Sequence, residues 1–71
     1  MSPVRQCGIV RFFNMAKGFG RIARRKGPDV YVHYKAIRGE GYRDLEEGQR
    51  VEFVLVQGSK GWEASDVVSL E

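Results

Sequence analysis

The sequence offers almost nothing with which to staple a fold. Cys7 is its only cysteine, which excludes an intramolecular disulfide, and His33 is its only histidine, which leaves no recognisable zinc-ligand set. A chain of 71 residues buries a modest core, and scaffolds of this size commonly rely on such a staple. The remaining routes are a compact closed fold, a partner, or marginal stability. No apolar run approaches the roughly 18 residues of a membrane span. The opening Met1–Gln6 segment has no apolar stretch that reads as a signal peptide. An unpaired cysteine suits a reducing compartment. The expectation is a single cytoplasmic domain over residues 1–71, with no membrane, metal or other cofactor and no P-loop.

Acid is scarce in one half of the chain. Residues 1–38 carry nine of the twelve basic residues and a single acid, Asp29, for a charge of +8, whereas residues 39–71 carry −5. Asymmetry of this kind points to a polyanionic partner engaged by the first half, or to an unevenly charged solubilising surface. Aromatic residues among the same charges favour a nucleic acid.

Room for helices is also lacking. Nine glycines and two prolines are spread so that no uninterrupted stretch exceeds ten residues, whereas helices average about 11–12. The intervals read as strands instead: Cys7–Phe13, Phe19–Arg24, Asp29–His33, Arg50–Gln57 and a less regular Trp62–Leu70. Val30 and Val32 alternate with Tyr31 and His33; Val51, Phe53 and Leu55 share one face; Ala64 and Val67 anchor the last strand. Lys26-Gly27-Pro28-Asp29 is a turn, and Gly58-Ser59-Lys60-Gly61 suits a hairpin. Residues 34–49 form a long link with at most a short helical turn near Tyr34-Lys35-Ala36. Five short strands with one long connection predict an all-β barrel, whose closure removes exposed edges.

A barrel cannot bury both faces of its strands. With Ile22, Val30 and Val32 inside, Phe19, Arg21, Tyr31 and His33 face outward. Flat rings on a rigid sheet allow unpaired bases to stack, at about 1–3 kcal/mol per base. Arg11, Lys17 and Lys60 are placed to meet phosphates. Gly18 and Gly20 are expected to let a base approach the sheet closely.

Several blocks together carry a family resemblance. Gly8-Ile9-Val10-Arg11-Phe12-Phe13-Asn14, Lys17-Gly18-Phe19-Gly20-Arg21-Ile22 and Asp29-Val30-Tyr31-Val32-His33-Tyr34, followed by Ala36-Ile37, Gly41-Tyr42 and Leu45-Glu46-Glu47-Gly48-Gln49, resemble bacterial cold-shock domain proteins in order and spacing. The resemblance implies a five-stranded antiparallel OB-fold (Greek-key) barrel. It also implies binding of single-stranded RNA and DNA and an RNA-chaperone role; a transcriptional or translational regulatory effect would use the same surface. By the same resemblance Phe12, Phe19, Tyr31, His33, Tyr34 and Tyr42 match stacking residues, and Arg11, Lys17, Asp29 and Lys60 match polar or charged contacts. Asp29 either bonds a base edge or serves the turn alone. Lys17-Gly18-Phe19-Gly20 is also similar to an RNA-recognition-motif signature, but that fold needs two helices and a longer chain.

Three positions depart from the family. Phe12 stands where tryptophan is common, keeping a stacking face but losing an N–H donor. Arg21 stands where phenylalanine is common; its guanidinium either stacks or reaches a phosphate, or points into solvent. Trp62 stands where proline is frequent, either extending the platform or capping the barrel. The Arg24-Arg25-Lys26 run is more basic than this loop usually is. No nucleophile or carboxylate partner accompanies His33, so no catalytic residue, enzymatic activity or small-molecule substrate is expected, and the barrel is expected to be monomeric. The competing reading is a protein-interaction β-barrel that docks a peptide or a ribosomal partner.

Overall fold

The computed structural model describes residues 5–38, 44–59 and 61–70. Strands β1 (Arg5–Asn14), β2 (Phe19–Arg24), β3 (Val30–His33), β4 (Arg50–Gly58) and β5 (Gly61–Ser69) close into a barrel in the order β1-β2-β3-β5-β4. Four seams are antiparallel, namely β1–β2, β2–β3, β1–β4 and β4–β5. The closing seam, β3–β5, is parallel through Tyr31 and Glu63. A 3-10 turn, Tyr34–Ala36, follows β3 directly. This is the five-stranded all-β barrel expected, and among the described residues the only helical turn lies where the long link begins.

Alternation explains the core. Ile22, Val30, Val32, Val51, Phe53 and Val67 are fully buried, with Val10, Ile37, Leu45 and Ala64 completing the cluster and Phe13 and Leu55 packed against it. Each buried aliphatic or aromatic side chain of this size contributes about 1.5–3 kcal/mol by leaving water. Gly8 also faces inward, where an added Cβ would lie 2.5 Å from Ile22 Cγ2 and 2.7 Å from the Ala23 carbonyl.

Two irregularities break the period-two pattern. In β1, Val10 pairs with Ile22 but Phe12 pairs with Arg21, leaving Arg11 as the extra residue of a bulge. Strict alternation from Val10 would turn Phe12 inward; the bulge turns it outward and sends Phe13 to the core instead. In β5, buried Ala64 and Val67 are three residues apart because the ladder shifts opposite Glu52/Val54 and Asp66 takes φ 51°. The irregularity expected of the last strand is therefore a bulge at Asp66.

That bulge is clasped by arginines. Arg38 binds the Asp66 carboxylate through Nε (2.8 Å) and a second nitrogen, and Arg5 reaches it through NH1 (2.9 Å) and its carbonyl through NH2 (2.8 Å). Arg5 also bonds Glu52 on β4. Charge-assisted bonds of this planar, forked geometry hold the start of β1, β4, β5 and the segment after the 3-10 turn together.

Candidate nucleic-acid interface

The outer face of β1–β3 gathers the aromatic residues by register. Phe19 pairs with His33 and Arg21 with Tyr31 across β2–β3, and Phe12 pairs with Arg21 across β1–β2. The Phe19 and Tyr31 rings stack with centroids 5.8 Å apart and 19° between planes, and Phe12 meets Phe19 edge-on at 6.4 Å. Phe12 is 42% exposed and Tyr34 40%, which leaves their faces open to a ligand. Arg21 is exposed between its ladder partners Phe12 and Tyr31.

His33 has a second task. Its Nδ1 accepts from the Lys35 backbone N–H at 3.2 Å, capping the 3-10 turn. The neutral ring thus carries its proton on Nε2. The cap brings the Tyr34 ring to 4.6 Å from the imidazole at 39°, so Tyr34 joins the platform from the turn rather than from β3.

Lys17 is presented by the β1–β2 turn. Its backbone N–H donates to Asn14 Oδ1 (2.9 Å), and the Gly18 N–H donates to the Asn14 carbonyl (2.7 Å). Sequence reasoning did not single out Asn14, although an asparagine opening a short turn before Lys-Gly is a known signal for it. The two glycines beside Phe19 do not serve the role expected of them. Gly18 has φ +75°, and a Cβ there would lie 2.7 Å from Tyr34 Cδ1; one on Gly20 would lie 2.2 Å from the Phe12 carbonyl oxygen. Both are buried. They are required by Tyr34 and by the β1 bulge, not by an approaching base.

Arg11 and Asp29 bind each other, Nε to Oδ2 at 2.6 Å. The pair ties the β1 bulge to the β2–β3 turn, and it commits one Asp29 oxygen within the protein. Trp62 is 42% exposed. It lines a cleft of about 430 Å³ with Phe19, Arg21, Tyr31, Asp29 and Pro28, so Trp62 and Arg21 both adjoin the platform. Pro28 was not singled out from sequence; its place in the Gly27-Pro28 turn beside the third strand is the available signal. Tyr42 and Lys60 lie outside the described residues.

Comparison with known proteins decides the family. The model of the 'Cold-shock' DNA-binding domain matches residues 6–70. The chain belongs to the cold-shock domain family. Cold shock-like protein CspC of Bacillus cereus is 54% identical over 63 residues, covering 89% of this chain and 97% of that protein. Cold shock protein CspD of Bacillus subtilis is 54% identical over 65 residues, covering 92% and 98%. The major cold shock protein CspA of Pseudomonas aeruginosa is 51% identical over 63 residues, covering 89% and 91%. Among solved structures, drosophila Unr CSD456 superposes with a TM-score of 0.80 at 17% identity, covering 99% of this chain and 28% of that one, a likeness of fold. Cold-shock domains are non-enzymatic nucleic-acid-binding modules. No helix among the described residues is long and apolar enough to cross a membrane.

Proposed function

We propose that this cold-shock domain, acting as a monomer, binds single-stranded RNA and DNA and keeps transcripts unpaired as an RNA chaperone. The observation that carries the reading is the outward platform of exposed Phe12 and Tyr34 with half-buried Phe19, Tyr31 and His33, Phe19 and Tyr31 sharing a cleft with Arg21 and Trp62. Bases stack on the rings, while Arg21, Lys17 and, outside the described residues, Lys60 meet phosphates. Tyr42 extends the stacking set. Arg11 and Asp29 bind each other, so a strand reaching either one exchanges that contact for its own.

The mechanism is mass action. Unpaired strands occupy the platform and duplex is depopulated without nucleotide hydrolysis. A transcriptional or translational regulatory effect would use the same surface. Titrating Trp62 fluorescence with a short oligothymidine at low salt tests binding; melting of a labelled RNA hairpin with and without the protein tests chaperoning. Absence of any oligothymidine or RNA response at low salt would overturn the reading in favour of a peptide-docking barrel.

A further inference from the structure

A second cleft system lies beyond the platform on the β1–β2 side of the barrel. One cleft, about 330 Å³, has a floor of Ile9, Ala23 and Leu70 with Arg24, Arg25 and Arg50 around it. Its neighbour, about 580 Å³, is lined by Gln6, Cys7, Arg24, Arg25 and Lys26. Ile9 is 43% exposed and Leu70 42%, an apolar floor open to solvent. Among the described residues lining the two clefts there is no carboxylate. Glu52, opposite Cys7 on β4, is held by Arg5.

The register joins this region to the platform. Arg21 lines the aromatic cleft and Ala23, two residues further on β2, lines the apolar one. Two residues of strand span about 7 Å and return to the same face. The β2–β3 turn is held in shape by Arg24, whose Nε donates to the Pro28 carbonyl (2.9 Å). Arg25 and Lys26 stand exposed at its edge.

We infer that a nucleic-acid strand leaving the aromatic platform continues past Arg21 and over Ala23, with Arg25 and Lys26 on its phosphates and the Ile9–Leu70 floor beneath a sugar or base. This rests on the single-strand reading above and extends it along β2 from the aromatic platform to the adjoining clefts. Charge complementarity and continuity with the platform select the same strand as occupant, because a separate anion would not need the Arg21–Ala23 path.

Cys7 makes the proposal directly testable, since it is the only thiol, is exposed, and lines both clefts. Its rate of modification by a thiol reagent is measured in the presence of saturating oligothymidines from about 4 to about 16 nucleotides long. Long oligomers should slow the reaction several-fold, whereas the shortest that bind the platform should leave it unchanged. In parallel, the Arg25→Ala/Lys26→Ala protein should bind the shortest oligomers within about twofold of wild type. For the longest it should bind roughly tenfold more weakly at low salt, with a salt slope shallower by about 1.4.

Equal weakening at every length would reveal general electrostatic attraction and overturn the extension. An absence of Cys7 protection with long oligomers would do the same and leave the patch to an acidic protein partner. Failure of wild type to bind the shortest oligomers is a different result, which overturns the platform reading itself.

Discussion

Phe19 and Tyr31 stack although they are not ladder partners: Phe19 pairs with His33 and Tyr31 with Arg21, so the rings meet diagonally across β2–β3. Diagonal neighbours on a sheet lie within reach only of long or aromatic side chains. The stacked pair leaves Arg21 beside it on the exposed face.

Replacing Phe19 or Tyr31 with alanine is expected to weaken oligothymidine binding by about 1–3 kcal/mol each. Each ring also positions the other, so the double variant should lose less than the sum, with a coupling of about 0.5–1.5 kcal/mol. Fluorescence titration of the four proteins measures this. Both residues lie outside the core, so unaltered circular dichroism is expected. Unfolding of either single variant would show that the ring supports the barrel.

Arg21→Phe should separate charge from stacking. Loss of one phosphate contact makes the plot of log K against log salt shallower by about 0.7, and the added ring should maintain or raise affinity at high salt. Isotherms at several salt concentrations decide it. An unchanged slope would mean that Arg21 does not touch phosphate.

Acid should loosen the clasp around the β5 bulge. Hydrogen bonds from Arg38 first, and then from Arg5, hold the Asp66 carboxyl below its ordinary value and outweigh the partial desolvation that acts in the opposite direction. A group whose folded pKa is lowered contributes stability that is present above its unfolded value and is lost as pH falls through the folded one. Thermal midpoints of wild type should therefore fall below about pH 4. Asp66→Asn keeps a residue that tolerates the left-handed backbone, and should show a lower midpoint at neutral pH with a flatter acid limb. Identical acid limbs would rule out this role for Asp66.

Two glycine substitutions should act on stability for different reasons. Gly18→Ala places a Cβ at φ +75° and 2.7 Å from Tyr34 Cδ1, costing about 1–2 kcal/mol from the backbone alone, with Tyr34 displaced from the platform. Gly20→Ala meets backbone rather than a movable ring, at the Phe12 carbonyl and Phe13 Cα (2.8 Å), and forces the β1–β2 ladder apart. Urea denaturation should rank Gly20→Ala as the more damaging; the reverse order would mean that the bulge yields more easily than the ring.

What could be read from the chain is what depends on neighbours in sequence. Alternation of Val30 and Val32 with Tyr31 and His33 placed both faces of β3, and Ile22 did the same for β2. The five strand positions and the short turn at Tyr34 were likewise legible from glycine spacing. Features that depend on distant partners were not. The bulge at Arg11, which brings Phe12 outward, is visible only once β1 is set against β2. The Arg5–Asp66–Arg38 clasp joins residues up to 61 positions apart, and nothing local announces it. Gly18 and Gly20 were recognised as special, yet their cause was misread: the close neighbours are the protein's own Tyr34 and β1 backbone. That Trp62 shares a cleft with Tyr31 likewise depends on β5 lying against β3 and not on any local signal.

The parallel seam gives the aromatic platform an unusual relation to the barrel beneath it. Among the described residues, β3 and β5 share one ladder pair, Tyr31 with Glu63, and Trp62 stands beside that pair on β5. A ligand lying across Tyr31 and Trp62 spans the joint where the cylinder is most sparsely laced. Backbone amides of β3 and β5 should then exchange hydrogen more slowly when the cleft is filled, so that occupancy is recorded in the breathing of the protein as well as in the fate of the strand.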